Sequence, residues 1–324
     1  MRSRLLAAAI LYCLTIPAVA GASAQSSDAT VIGATKTAIL VWIAEERGYF
    51  QDVPGGVQVR NYDSGTVTAN DLLKGEIDLA TSSEFAFGSN LLIHSDLRAL
   101  AAISASRTCH LFTRADGGID KITDLKGRRV GITRKSIGQY FLGQMLTLAG
   151  IGPEDIVLVD LRPAEIADAV ADGSIDAGMT WDPFVFAAQQ QLGDNFLLLE
   201  PDDGRYYYFL LTTRRAWLER NAAAAIGIVK ALKQAEQFSS DNPTEAKDII
   251  RRRFALEPAY LEQLWPKHVL RVGLPQDLLF VIEEGIRWRI DEKLTAYKEV
   301  PDVTEFLHID ALEQVSPKDV GIIR

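Results

Sequence analysis

The sequence predicts an α/β protein built from two similar lobes. Its 324 residues, 48% hydrophobic and 24% charged, have ordinary globular composition and exceed one small domain. Strand-like and helix-like patterns alternate along the chain, which favours sheets flanked by helices. One phrase also occurs twice, KGEIDLATSSEF at 74–85 and DGSIDAGMTWDPF at 172–184, each with an acid nine positions after its Gly. The duplication predicts two halves with the same plan.

The N-terminus has the features of a secretory signal. Arg2 and Arg4 precede an apolar core at 5–16, and the small residues at 22–24 form an A-x-A cleavage site. The core is too short for a comfortable membrane span, so an uncleaved anchor is the weaker alternative. We expect cleavage after Ala24 and an exported, soluble, periplasmic protein.

Charge and cysteine content exclude several classes of partner. The net charge of −9 becomes −11 once Arg2 and Arg4 are removed, which argues against nucleic acid. Cys109 is then the one cysteine, so no disulfide or Cys-based metal site can form within a chain. Its strand-like surroundings predict a buried, inert thiol. The four His residues lack ligand spacing, and we expect neither metal nor cofactor.

Each half is predicted to run strand–helix–strand–helix–strand, which makes its sheet mainly parallel. In both halves the repeated phrase covers the last helical turn, a Gly turn and a buried strand. Ser136 is placed to cap the first helix of the second half. The predicted strands are 29–35, 56–62 and 77–81 in the first half, and 128–133, 155–161 and 175–180 in the second.

The rest of the chain is predicted to return to the first lobe. An outward crossing is expected near 109–118, and the aromatic strand at 205–213 is the expected return crossing. Helical spacing then dominates from Arg215 to the end. The predicted organisation is a signal peptide at 1–24, the first part of lobe 1 at 25–113, lobe 2 at 114–207, and the second part of lobe 1 with C-terminal helices at 208–324.

An ordered set of segments resembles a known family across the mature chain. These are VWIAEERGYF, DSGTVTANDLLKGEIDLA, ITDLKGRRVGIT, LTLAGIGPEDIVLVDL, IADAVADGSIDAGMTWDPF and LEQVSPKDV. They look like the solute-binding proteins of nitrate/sulfonate/taurine and thiamine-precursor ABC importers. The resemblance implies a type II periplasmic-binding-protein fold, two lobes joined by two crossing segments, without enzymatic activity. It also implies a small-molecule solute and an ABC permease with its ATPase as partners, and we expect a monomer.

Ligands of open α/β sheets bind beyond the carboxyl ends of the strands. Helix starts at those ends offer unpaired N–H groups and a positive dipole to an anion. Lys36 and Thr37 stand at one such start, and Ser136, Gly138 and Gln139 at another. We expect a sulfonate-like or carboxylate-like group there. Simple capping by Thr37 and Ser136 is the alternative.

Acids follow the buried strand of each repeated phrase. Glu84 and Asp182 could pair with an ammonium or ring nitrogen of the solute, because unpaired carboxylates would repel a bare anion. A structural ion pair is the alternative for both, and a helix-start or turn role is a further alternative for Asp182. Ser82 and Ser83 could bind the solute or nearby backbone.

Aromatic residues could form an apolar wall of the cleft. Trp181 is a candidate platform or a core residue. Tyr207 is the candidate on the return strand, although the sequence leaves open which of residues 206–208 faces the cleft. Arg107 could be a second anion ligand or a paired surface residue.

Two other functions share these features. A periplasmic enzyme on the same fold could use cleft carboxylates as acid and base. A sensor-linked binding protein is the third possibility. The sequence shows no G-x-S-x-G, P-loop or G-x-G-x-x-G motif, which favours a binding protein. The predicted solute is a sulfonate-like or taurine-like anion or zwitterion, with a pyrimidine or an aromatic acid as alternatives.

Overall fold

A computed structural model describes residues 29–199 and 206–323. The predicted signal peptide and the first residue of the predicted return strand lie outside the described residues. Two separate sheets organise the described chain, and each one with its helices is called a lobe below. Within these ranges, each helix is too short or too polar to cross a membrane.

The first sheet has six strands in the order β11-β4-β10-β3-β1-β2. Strand β1 pairs in parallel with β2 and β3, and the other three pairings are antiparallel. The parallel part is the predicted strand–helix–strand–helix–strand unit. The strands are β1 Thr30–Thr35, β2 Val57–Tyr62, β3 Leu79–Ser83, β4 Leu97–Ser106, β10 Tyr207–Arg214 and β11 His268–Val269.

The second sheet has five strands in the order β7-β6-β8-β5-β9. Strand β6 pairs in parallel with β7 and β8, whereas β5 is antiparallel to β8 and β9. Both sheets are therefore mixed rather than mainly parallel, because crossing strands add to each parallel unit. The strands are β5 Cys109–Arg114, β6 Arg129–Ile132, β7 Val157–Asp160, β8 Ala177–Trp181 and β9 Phe196–Leu198.

Eleven helices cover the described parts of the two sheets, and the predicted helical C-terminal region is confirmed. Helices α4, α5 and α6 pack on the second sheet, and the others belong to the first lobe. The helices are α1 Ile39–Glu46, α2 Gly65–Lys74, α3 Glu84–Leu91, α4 Ile137–Leu148, α5 Pro163–Ala171, α6 Phe184–Leu192, α7 Arg215–Asp241, α8 Pro243–Phe254, α9 Pro258–Leu264, α10 Asp277–Asp291 and α11 Asp310–Val315.

The aspartates of the repeated phrase fix the start of the third strand to the first strand of each half. Asp78 accepts the Val31 N–H at 2.9 Å, and Asp176 accepts the Arg129 N–H at 2.8 Å. The N–H of each aspartate donates in turn to the carbonyl of the same partner residue. The two lobes thus repeat one hydrogen-bonded junction.

The isoleucine before each aspartate fills the space above a strand glycine. A Cβ on Gly33 would stand 2.5 Å from Ile77 Cδ1, and one on Gly131 would stand 2.4 Å from Ile175 Cδ1. Glycine at these positions lets the isoleucine side chain lie directly on the strand backbone. The repetition of Ile-Asp therefore has a structural cause in each lobe.

The chain changes sheet earlier than the sequence indicated. Strand β4 ends at Ser106 in the first sheet, and β5 begins at Cys109 in the second. The outward crossing therefore precedes 109–118, and residues 109–113 pair within the second sheet. Tyr207 pairs within the first sheet, and its hydroxyl and the Thr108 Oγ1 are 2.7 Å apart, which joins the two crossing regions.

Candidate functional site

A cleft of about 390 Å³ lies between the carboxyl ends of the parallel strands of the two sheets. Seven of the predicted site residues line it. They are Lys36, Thr37, Ser83 and Tyr207 from the first lobe, and Ser136, Trp181 and Asp182 from the second. The structure thus brings the two copies of the repeated phrase to one cavity.

Helices α1 to α6 all begin at this cleft. Their first-turn residues, or the residues just before them, form much of its lining because each helix starts where a strand ends. Helix N-termini carry unpaired N–H groups and positive partial charge, so their convergence favours an anion. The lining residues at these starts are Lys36, Thr37, Ser64, Gly65, Thr66, Val67, Ser83, Ala86, Ser136, Ile137, Arg162, Pro163, Ala164, Pro183 and Phe184.

The hydroxyl caps expected at α1 and α4 are not formed. Ser136 Oγ donates instead to the Thr133 carbonyl at 2.6 Å, and the Thr37 and Thr35 hydroxyl oxygens are 3.0 Å apart. By contrast, Ser64 and Ser83 cap α2 and α3. The starts of α1 and α4, one in each lobe, therefore keep N–H groups that no side chain caps.

Two cations line the cleft among the described residues, and the sequence predicted only one of them, Lys36. Lys36 is exposed, with its Nζ 5.9 Å from the centroid of the Phe254 ring. Arg162, in the second lobe, follows β7 and precedes α5; its Nε donates to Glu165 at 2.9 Å. Asp63 holds the matching position after β2. The site residues predicted from the sequence follow the first and third strands of each half, whereas Asp63 and Arg162 follow the second strand.

Asp182 forms a buried ion pair, which is one of the alternatives that the sequence left open. It is 1% exposed, and its Oδ2 lies 3.1 Å from Lys267 Nζ. Its Oδ1 accepts the Phe186 N–H at 3.3 Å. Lys267 precedes β11 in the first sheet and also lies 3.1 Å from His110 Nε2, so the ion pair joins the two lobes.

Glu84 lies behind the cleft rather than in its lining. It is the first residue of α3, is 2% exposed, and its Oε2 has no hydrogen-bond partner among the described residues. Burial raises the pKa of Glu84 to about 8, although hydrogen bonds to backbone groups counteract the rise. The carboxyl group is therefore mostly protonated at neutral pH, and it does not face Asp182 across the cavity.

Three further predicted residues also lie outside the lining. Ser82 is buried against α2, where a Cβ on Gly65 would stand 3.0 Å from its Cα. Gln139 Oε1 accepts the Lys135 N–H at 2.7 Å, which closes a local turn. Gly138 packs against Met179, 3.6 Å from the position of its missing Cβ.

Aromatic residues from both lobes line the cleft. Trp181 and Phe184 lie edge to face with ring centroids 6.4 Å apart, and Tyr207 lines the first-lobe side with Phe209. Alternation along β10 points the neighbouring Tyr208 to the other side of the sheet, where its hydroxyl donates to Asp277 at 2.7 Å. Tyr207 is therefore the tyrosine that faces the cavity.

Arg107 is not among the residues that line the cleft. Its guanidinium lies 4.5 Å from the centroid of the Tyr206 ring, a cation–π contact at the outward crossing. The alternative of a paired surface arginine therefore describes it. Among residues 29–199 and 206–323, no group of three or more His, Cys, Asp or Glu residues could hold a metal ion.

Solved structures of other proteins share this arrangement of two sheets that face each other across a cleft. The alkanesulfonate-binding protein SsuA of Xanthomonas axonopodis pv. citri, bound to MOPS, superposes with a TM-score of 0.76 at 18% identity, covering 87% of this chain and 98% of that chain. The desulfurization enzyme DSZB shares the fold with a TM-score of 0.68 at 14% identity, covering 90% and 99%. The fold is that of the periplasmic binding proteins, and it also serves an enzyme.

Residues 36–246 match the family described as NMT1/THI5 like, and the chain belongs to that family. A putative binding protein of Brucella abortus is 23% identical over 225 residues, which cover 68% of this chain and 69% of that protein. The taurine-binding periplasmic protein of Escherichia coli is 25% identical over 169 residues, 52% of each chain.

Proposed function

We propose that this protein is the periplasmic solute-binding receptor of an ABC importer for a small organic anion. The observation that carries the proposal is the convergence of six helix N-termini on one cleft between two lobes. The names of the similar proteins, which bind sulfonates and taurine, support this class of solute. The loaded receptor would deliver the solute to a membrane permease driven by an ATPase.

The lining supports an anion with an organic body. The N-termini of α1 and α4 supply N–H donors from opposite lobes, and Lys36 and Arg162 add positive charge. Trp181, Phe184 and Tyr207 offer apolar surface beside them. A cavity of about 390 Å³ falls within the range of small-molecule sites. Closure of the lobes would remove the solute from water, as hinged binding domains do.

An enzyme is the second candidate, because DSZB shares the fold. General acid–base catalysis needs a carboxyl group that can reach the bound molecule. Asp182 is engaged by Lys267, Glu84 lies outside the lining, and Asp63 is the one other carboxylate of the described lining. The described lining therefore offers no second free carboxyl group to complete an acid–base pair, which supports a receptor without turnover.

The proposal is tested by binding measurements on the purified mature protein. A panel of alkyl and aryl sulfonates and carboxylates is screened by thermal shift, because a ligand of the folded form raises the melting temperature. Calorimetry then compares Lys36→Met and Arg162→Met with Lys74→Met and Lys126→Met, which remove exposed charges outside the cleft. We expect about 3- to 30-fold weaker binding for the cleft variants only.

Two outcomes would contradict the proposal. One is the absence of any thermal shift or calorimetric signal across the panel at millimolar concentrations. The other is chemical conversion of a bound member, followed by mass spectrometry, which would favour the enzyme. Fractionation and N-terminal sequencing of the expressed precursor test export, with Gln25 expected as the first residue of the mature chain.

A further inference from the structure

The carboxylates at the cleft determine whether the site can accept an amine. Asp182 and Asp63 are the two carboxylates among its described lining residues. Asp182 uses both oxygens within the protein, Oδ2 with Lys267 Nζ at 3.1 Å and Oδ1 with the Phe186 N–H at 3.3 Å. Asp63 is exposed to solvent. No buried carboxylate in the described lining is left without a charged partner.

Lys267 supplies the positive charge that a solute amine would otherwise bring. Its side chain reaches from the first lobe to Asp182 in the second and is 22% exposed. The carbonyl of the same residue accepts the Arg107 N–H at 2.9 Å, which holds this segment against the outward crossing. The ammonium position beside Asp182 is therefore filled by the protein itself.

We propose that the solute is an organic anion without an amino group, and that Lys267 determines this specificity. The inference rests on the proposed function, and it concerns the chemistry of the same cleft. An amine-free sulfonate or carboxylate would place its charge at the helix starts and its body on the Trp181 side. An aminosulfonate would bring a second charge into the cleft, where its ammonium loses water and meets no unpaired buried carboxylate.

The test compares matched pairs of ligands on the full mature protein. Propane-1-sulfonate is titrated against 3-aminopropane-1-sulfonate, ethanesulfonate against taurine, and butyrate against 4-aminobutyrate. We expect the amine-free member of a pair to bind at least about tenfold more tightly, because uncompensated desolvation of an ammonium is costly. This comparison needs no variant, so it does not depend on how a substituted protein folds.

Variants then test the role of Lys267. In Lys267→Met, Asp182 loses its partner and becomes available to an ammonium, so the preference should shift at least about tenfold towards the amino member. The double variant Lys267→Met/Asp182→Asn is the matched control, and the shift should disappear in it.

Each outcome has a distinct meaning. Equal or tighter binding of the amino member by the unsubstituted protein would overturn the inference and leave the proposed receptor function intact. A retained amine-free preference in a folded Lys267→Met protein would overturn the role of Lys267. Failure of every pair to bind at millimolar concentrations would contradict the receptor function itself, and the inference with it.

Discussion

A contact between the lobes gives a stability prediction that can be worked out from distances. Helix α4 of the second lobe meets α10 of the first at Gly143 and Trp288. A Cβ on Gly143 would stand 2.5 Å from Trp288 Cζ2 and 2.9 Å from Cε2 and Nε1. The indole also contacts Tyr140 at 5.4 Å and Phe85 at 5.8 Å between ring centroids. An added methyl group at residue 143 must therefore displace a rigid ring that is packed on other sides.

Gly143→Ala has two opposing effects on the free energy of unfolding. Replacing glycine within a helix stabilises by about 1 kcal/mol. Overpacking against the indole destabilises by about 1–3 kcal/mol. We expect a net destabilisation of about 1 kcal/mol in the unsubstituted protein. In a Trp288→Leu background the collision is removed, and the same change should stabilise by up to about 1 kcal/mol.

The assay is urea unfolding followed by far-ultraviolet circular dichroism, which does not depend on the tryptophan that is changed. Four proteins form a double-mutant cycle, and we expect a coupling energy of about 1–3 kcal/mol between the two positions. Equal stabilisation by Gly143→Ala in both backgrounds would refute the packing between α4 and α10.

Three further predictions concern half-buried or buried polar groups, and urea unfolding at controlled pH tests them all. Asp78→Ala and Asp176→Ala should each destabilise by about 1–3 kcal/mol, because a strand N–H loses its acceptor, whereas unchanged stability would contradict the shared junction. With the pKa of Glu84 raised by burial to about 8, the folded state keeps a proton that the unfolded state loses, so the contribution of Glu84 to stability falls as pH rises from about 4.5 to 8. Glu84→Gln should remove that slope and stabilise by up to about 3 kcal/mol at pH 7, and an unaltered slope would exclude Glu84 as its source. Burial lowers the pKa of His268 to about 4, so the contribution of His268 to stability falls as pH drops from about 6.5 to 4 and opposes that of Glu84, and His268→Gln should abolish this loss.

The parallel core of each lobe could be predicted because its signals are local. Strand alternation, helical spacing and terminal glycines identify the units that become β1 to β3 and β6 to β8. The antiparallel strands could not be placed in the same way, because their partners are distant in sequence. Strand β10, for example, lies between β3 and β4 in the sheet, although both of these strands precede it in the chain by more than a hundred residues.

Different parts of the repeated phrase have different roles, one in the cleft and one in the fold. Its last residues do reach the cleft, where Ser83 and Asp182 were expected. Its Ile-Asp core, however, serves a junction whose acceptor and donor are 47 residues apart in each lobe, at Asp78 and Asp176. No local pattern in the sequence shows that pairing.

The sequence does not identify the partner of a charged cleft residue when that partner is distant along the chain. Lys267 is 85 residues from Asp182, so the sequence could only offer an ion pair as one alternative. Glu84 follows its strand as predicted, but the helix that begins there turns its side chain into the protein. Arg162 could have been predicted as a cleft residue, because it lies at a strand-to-helix junction, as Lys36 and Ser136 do.

A crystal structure of the mature protein with propane-1-sulfonate tests the central claim most directly, because the anomalous signal of sulfur locates the sulfonate. The sulfonate oxygens should lie within about 3 Å of backbone N–H groups at the starts of α1 and α4, between Lys36 and Ser136, with the alkyl chain against Trp181. A sulfonate bound outside the cleft, or bound within it away from both helix starts, would contradict the anion-receptor function.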